Sequence, residues 1–174
     1  MYLLNIFIIG VIVGLASCDI DCFDKESSPC RPEFKNDEKS SLDDYCRSQL
    51  PFIYCLNNAA NKCGSFQEEI ETWFDAAKDA CTRGTKLNKE LEANVECITG
   101  AIKDAECLIG SEEDLKDQPE DKQLCQQFET VTDCLYQKVE YACGRNVADS
   151  FLAIYEPMVQ YQLKICKEII LKRE

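Results

Sequence analysis

Histidine is absent from this 174-residue sequence, and 19 Lys and Arg residues face 32 Asp and Glu residues, so the net charge is −13. Without an imidazole the chain has no general base for Ser-His-Asp or Cys-His catalysis and no imidazole ligand for a metal. The shortage of cations argues against a nucleic-acid partner, because binding to phosphate backbones depends on clustered Lys and Arg. We therefore expect no histidine-based chemistry and no nucleic acid.

Long apolar runs are also scarce, and the longest, residues 1–15, carries no charged side chain. It is shorter than the roughly 20 residues that a membrane-spanning helix needs. Small residues follow at Ala16, Ser17 and Cys18, which is typical of a secretory signal peptide. We predict a signal peptide over residues 1–18, a secreted protein and no transmembrane segment, while cleavage after Ala16 or Ser17 would retain Cys18.

Cysteine is the unusual abundance, with thirteen residues in the chain. Extracellular cysteines are normally paired, and zinc knuckles need CxxC spacings, whereas the closest pair here is Cys18-x3-Cys22. We predict structural disulfides, with no metal or cofactor. The cysteines expected to form them are Cys22, Cys30, Cys46, Cys55, Cys63, Cys81, Cys97, Cys107, Cys125, Cys134, Cys143 and Cys166. The sequence leaves their pairing open.

Helical periodicity follows Ser41, with apolar side chains at steps of three and four, for example at Leu87, Leu91 and Val95. No alternation typical of a β-strand occurs. We predict an all-α, disulfide-stapled bundle of about five helices, forming a single domain over residues 42–174. Gly84, Gly110 and Gly144 stand where helices are expected to stop.

Residues 19–41 are polar and contain two prolines, so we predict an irregular arm held by its cysteines. Ser65 and Glu68 have the spacing of a capping box, which predicts that Ser65 caps the following helix. Pro157 lies within the last helical pattern, where its ring should clash with the carbonyl of Ala153 and kink the helix.

An internal repeat is visible in the cysteine spacing. The series Cys46-x8-Cys55-x7-Cys63-x17-Cys81 matches Cys125-x8-Cys134-x8-Cys143-x22-Cys166. Cys-Leu and Cys-Gly pairs recur at the second and third cysteines of both series. We predict two duplicated helical hairpins, residues 46–81 and 125–166, joined by a linking helix over residues 86–109.

The order of these residues resembles a family of cysteine-rich secreted helical proteins of arthropods and nematodes, usually described as a domain of unknown function. The resemblance rests on Tyr45-Cys46-Arg47, Phe52-Ile53-Tyr54-Cys55, Cys63-Gly64, Cys134-Leu135, Ala142-Cys143 and Cys166. It covers roughly Cys22 to Cys166 and implies no catalytic motif. Some members carry adjacent cysteines before the second hairpin, where this chain has Leu124-Cys125. The length, leader and cysteine content also resemble long venom polypeptides of arthropods such as centipedes.

Other candidate sites have structural explanations. Pairs of acidic residues are expected to be solvated helix faces, and the acidic stretch 111–121 is expected to be a surface loop without the EF-hand pattern for calcium. Trp73 and Phe74 are predicted to be core. Tyr136 and Tyr141 are five residues apart and point in different directions on a helix, so each is predicted to pack separately at the rim of the core.

These observations predict a secreted, non-enzymatic protein that binds an extracellular protein target, as a venom component or toxin. One alternative is an extracellular carrier of small apolar ligands, because amphipathic helices can enclose a cavity. A second is a hydrolase that uses carboxylates or Lys, since no imidazole is present.

Overall fold

The computed structural model describes residues 20–30, 41–103, 107 and 120–170. The predicted signal peptide, Cys18, the predicted helix stop at Gly110 and residues 111–119 of the predicted acidic loop lie outside these residues. Glu120 and Asp121 of that loop belong instead to a helix. The described residues form six α-helices, which are α1 (Ile20–Ser27), α2 (Leu42–Cys63), α3 (Gln67–Cys81), α4 (Lys86–Lys103), α5 (Glu120–Cys143) and α6 (Arg145–Ile165). A π-helical turn, Cys166–Ile170, continues α6. The all-α prediction is confirmed.

The number of helices differs from the prediction of about five because the arm is not wholly irregular. Its first part forms α1, which buries Phe23 against the rest of the molecule. Only eight residues long, this helix offers too little periodicity to be recognised from sequence, and isolated helices of this length are unstable. Two disulfides that start from Cys22 and Cys30 hold it in place. Tertiary contacts therefore stabilise α1.

A serine caps the amino terminus of α2. The backbone N–H of Asp44 donates to Ser41 Oγ at 3.1 Å, and the Ser41 hydroxyl donates to the Asp44 carboxylate at 2.6 Å. This satisfies one of the N–H groups that the first turn of a helix leaves unpaired. Acidic Asp43 and Asp44 in the first turn also suit the positive end of the helix dipole.

The predicted capping box at α3 is wrong. The residue at the N-cap is Phe66, in the left-handed region at φ 59°, and no side chain caps the helix there. Ser65 is buried, and its hydroxyl has no hydrogen-bond partner among the described residues. Burial of the Phe66 ring decides the geometry of this corner, since the ring lies edge-on to Phe23 with centroids 4.9 Å apart.

The turn between α3 and α4 is built around Asn88, which is buried. Its side-chain amide donates to the Ala80 carbonyl at 2.8 Å, and its carbonyl oxygen accepts from the backbone N–H of Gly84 at 3.2 Å. Gly84 has a positive φ of +91°, but α3 ends earlier than predicted, at Cys81 with Thr82 as an extended C-cap. The linking helix was predicted over residues 86–109. Helix α4 ends at Lys103, and of residues 104–109 only Cys107 is described.

Pro157 lies inside α6, which runs unbroken from Arg145 to Ile165. The predicted kink stays a prediction. A second proline, Pro51, lies within α2.

The interior consists of two clusters of buried side chains. The first cluster is aromatic and lies among α1, α2, α3 and the carboxyl-terminal part of α6; its main members are Phe23, Ile53, Phe66, Ile70, Trp73 and Tyr161. The second cluster is mostly aliphatic and lies among α4, α5 and the amino-terminal part of α6; its main members are Leu91, Ile98, Leu135, Val139, Val147 and Phe151. Helix α6 therefore contributes to both clusters.

Candidate functional site

All twelve cysteines predicted to form bridges are paired. The six disulfides join Cys22 with Cys63, Cys30 with Cys55, Cys46 with Cys81, Cys97 with Cys143, Cys107 with Cys134 and Cys125 with Cys166. Such a number of disulfides fits an extracellular protein, because reducing compartments keep thiols free.

The bonds divide into two groups of three. The first half of the chain, residues 20–81, contains one group, and the second half, residues 86–170, contains the other. Numbered within each half, the first cysteine pairs with the fifth, the second with the fourth and the third with the sixth. The repeated unit of cross-linking thus includes Cys22 and Cys30 in one half and Cys97 and Cys107 in the other. It is wider than the predicted hairpins, whose duplication stays a prediction.

An acidic groove lies between α3 and α6, with a volume of about 350 Å³. It is lined by Glu68, Glu69, Thr72, Glu156, Pro157 and Gln160. At one end Lys164 Nζ lies 3.4 Å from Glu69 Oε1. The groove offers carboxylates to a cationic group, and Lys164 already supplies one cation to it. We predicted that pairs of acidic residues lie on solvated helix faces. Glu68 is exposed, in agreement with this prediction, whereas Glu69 is partly buried.

The side chain of Trp73, predicted to be core, is buried and stacks on Tyr161 with ring centroids 5.7 Å apart. Phe74 is partly buried beside the first cluster. Burial raises the pKa of the Tyr45 hydroxyl, and an interaction with Trp73 lowers it. The geometry of that interaction falls short of a standard hydrogen bond, so the Trp73 Nε1–H has no partner among the described residues. Trp73 therefore packs in the first cluster, and neither Trp73 nor Phe74 lines the groove between α3 and α6.

The two tyrosines of α5 behave differently from each other. Tyr136 is partly buried beside the second cluster, and its hydroxyl donates to Asp149 Oδ1 at 2.8 Å. That hydrogen bond to the carboxylate, together with its charge, raises the pKa of Tyr136. Tyr141 is 94% exposed, so the prediction that it packs at the rim of the core is wrong. The outward register of the last turn of α5 places it away from both clusters.

Tyr141 is the most exposed large hydrophobic residue of the described part of the chain; Tyr54 follows with 55%. Lys138, one helical turn before Tyr141, and Arg145, at the start of α6, are exposed as well. We call Tyr141, Lys138 and Arg145 the Tyr141 surface. An exposed tyrosine, with exposed cations three residues before it and four residues after it in the sequence, offers apolar area and hydrogen bonds to a protein partner. The sequence placed Tyr141 on a helix, but only packing shows which face is open.

Among the described residues, no group of Cys, Asp and Glu side chains is arranged to hold a metal ion. None of the helices over these ranges combines the length and apolar character needed to cross a membrane. Comparison of the chain with protein-family models, with curated proteins and with solved structures finds no match.

Proposed function

We propose that this protein is secreted and acts outside the cell, without catalysis, by binding another protein, as a component of a venom or a comparable secretion. The six disulfides carry the proposal, because so many bridges suit a protein that persists in an oxidising medium. The leader-like residues 1–18 and the resemblance to secreted cysteine-rich helical proteins support it.

The Tyr141 surface is the proposed contact. The Tyr141 side chain is 94% exposed and contributes little to the stability of the fold. Its ring is therefore accessible for contact with a partner. Tyr and Arg are the residue types over-represented among side chains that dominate binding energy. The partner is expected to present carboxylates near a shallow apolar surface, complementary to Lys138, Arg145 and the tyrosine ring.

The groove between α3 and α6 does not favour the alternative of an apolar carrier. Three of its six lining residues are glutamates, whereas pockets for apolar ligands are lined mainly by hydrophobic side chains. Native mass spectrometry tests this alternative directly, because a carrier should retain a lipid or bind a fatty-acid probe.

Secretion is tested by expressing the full chain in secretory cells. We expect the protein in the medium, shortened at its amino terminus, and gaining twelve hydrogens on reduction, two for each of six disulfides. An uncut chain with free thiols in the cytosol would contradict the proposal.

Binding is tested with the labelled native protein on cells and membranes. We expect saturable binding that unlabelled protein displaces, and a loss of affinity of roughly 30-fold in Tyr141→Ala, corresponding to about 2 kcal/mol. Glu71→Ala is the control, because Glu71 is exposed on α3, in the other half of the molecule. Equal binding by both variants would remove the Tyr141 surface from the proposal, and turnover in a hydrolase screen would contradict the non-catalytic function.

A further inference from the structure

The turn between α3 and α4 exposes an arginine. Thr82, Arg83 and Gly84 are all exposed, and the Arg83 side chain keeps 90% of its surface accessible. A Cβ placed on Gly84 would meet no atom within 4 Å. Both residues of the Arg83–Gly84 peptide bond therefore border open space, as cleavable loop tips generally do.

Arg83 differs in backbone conformation from the other Lys and Arg residues that the structure describes. The other Lys and Arg residues over these ranges lie in α-helices or in the π-helical turn. Proteases bind the substrate backbone in an extended form, which a helix does not provide. Thr82, directly before Arg83, is already extended at φ −82° and ψ 110°.

Hydrogen bonds on both sides of the Arg83–Gly84 peptide hold the turn, and a protease must open the nearest of them to bind it. The Thr85 hydroxyl donates to the Asp79 carbonyl at 2.8 Å, and the Asn88 amide donates to the Ala80 carbonyl at 2.8 Å. The backbone N–H of Gly84 donates to Asn88 Oδ1 at 3.2 Å, and that of Thr85 donates to the Thr82 carbonyl at 3.3 Å. The Arg83 guanidinium lies 3.9 Å from the carboxylate of Asp43, and both side chains are largely exposed. Exposed ion pairs of this kind contribute little to stability. A carboxylate of a protease can therefore take the place of Asp43 beside the Arg83 guanidinium.

The arrangement of the disulfides determines what hydrolysis of the Arg83–Gly84 bond does to the chain. Three bonds close the chain between Cys22 and Cys81, and three close it between Cys97 and Cys166. None of the six crosses the turn. Hydrolysis within any disulfide loop leaves the fragments joined, whereas hydrolysis after Arg83 gives two chains with no covalent link.

We propose that Arg83–Gly84 is a processing site at which an extracellular, arginine-specific protease of the trypsin type divides the protein into two chains of three disulfides each. Water is the co-reactant: the C–N bond breaks, the hydroxyl joins the Arg83 carbonyl carbon and a hydrogen joins the Gly84 nitrogen. An acidic pocket of the protease takes the guanidinium. The proposal rests on the extracellular location proposed above.

The two chains are expected to stay together in native conditions. Tyr161 of the second half is buried in the first cluster, where it stacks on Trp73. Lys164 of the second half pairs with Glu69 of the first. The contact between Tyr161 and Trp73 is buried and noncovalent, so it does not depend on an intact Arg83–Gly84 peptide bond.

The test is limited trypsin digestion of the native, disulfide-bonded protein. We expect one early cut, with two chains separating in denaturant without reductant, one ending at Arg83 and the other starting at Gly84. Size-exclusion chromatography without denaturant should show a single particle of unchanged size.

Variants identify the bond. Arg83→Gln should abolish the cut, whereas Lys86→Gln, a matched control three residues later, should leave it unchanged. An intact Arg83–Gly84 bond after digestion, a first cut at Lys86, or fragments that separate only on reduction would overturn the assignment. Binding to cells is measured on the uncut protein, so failure of the binding proposal and failure of the processing site are distinguishable.

Discussion

The two halves of the molecule have the same order of disulfide pairing but different interiors. In residues 20–81 the bridges surround an aromatic cluster, whereas in residues 86–170 they surround mostly aliphatic side chains. The first cluster is completed by Tyr161 from the other half, and the second receives Ala80 in return. The comparison shows that a common pattern of cross-links accommodates different packing, because disulfides constrain the chain without filling its core.

The corners between the long helices differ in the same way. After α2 the chain passes through Gly64, Ser65 and Phe66 before α3 begins, and both Gly64 and Phe66 have positive φ. After α5 the single residue Gly144 separates α5 from α6. The three-residue corner places the Phe66 ring in the first cluster. The corner after α5 consists of Gly144 alone and contributes no side chain to the second cluster.

The largest expected effect is at the contact between the halves. Trp73→Ala removes a buried indole that stacks on Tyr161, so we expect a loss of about 3–5 kcal/mol in the free energy of unfolding. Urea denaturation with the disulfides intact measures it. Tyr141→Ala is the control and should stay within about 0.5 kcal/mol, because the side chain is exposed. A Trp73→Ala effect as small as the control would mean that the aromatic cluster is not the core of the first half.

Removing one disulfide from each half tests whether equivalent bonds contribute equally. Cys22 and Cys63 are 41 residues apart, and Cys97 and Cys143 are 46 apart. Because loop closure depends only weakly on length, replacing either pair with alanine should lower stability by a similar amount, about 2–4 kcal/mol. Thermal unfolding of the two variants measures this. A strongly unequal loss would show that the different cores, and not the loops, decide the contribution of each bond.

The glycines at the two corners differ in backbone conformation. Gly64 has φ 70° and ψ 17°, a left-handed conformation that a non-glycine residue adopts at about 1–2 kcal/mol. Gly144 has φ 88° and ψ 161°, a region used almost only by glycine, so Gly144→Ala should cost more, up to about 3 kcal/mol. Denaturation of both alanine variants gives the difference. A larger loss for Gly64→Ala would contradict the interpretation from backbone conformation.

The smallest effect is a dependence of stability on alkaline pH. Burial raises the pKa of Tyr161 above its ordinary value of 10.0, so the folded chain keeps the phenolic proton while the unfolded chain releases it. Stability from this group is complete below about pH 10 and is lost as the pH rises beyond it, at most about 1.4 kcal/mol per pH unit.

Tyr161→Phe should therefore flatten the decline in stability measured by urea denaturation at pH 9, 10 and 11. Tyr155, beside the second cluster, has its pKa raised by burial as well, but it is only partly buried, so Tyr155→Phe should have a smaller effect. Equal slopes for the wild type and Tyr161→Phe would contradict the assignment.

Several elements could be predicted from sequence because their signals are local. The periodicity of Leu87, Leu91 and Val95 identifies α4, and Gly84 marks the turn before it. The helix α1 and the corner at Phe66 could not be predicted, because both depend on rings that meet only in the folded chain. The Tyr141 surface was missed for a related reason, since periodicity gives a direction on the helix but not what lies opposite it.

The amino-acid sequence is enough to predict an all-α fold, a net charge of −13 and a supply of thirteen cysteines. These properties follow from side-chain type and local spacing. Packing in three dimensions sets which cysteines meet, which half holds the aromatic core and, among the described residues, which cation lies outside the helices. Those outcomes depend on packing between residues far apart in the chain, such as Tyr161 with Trp73, and contacts at that separation leave no periodic signal in the sequence.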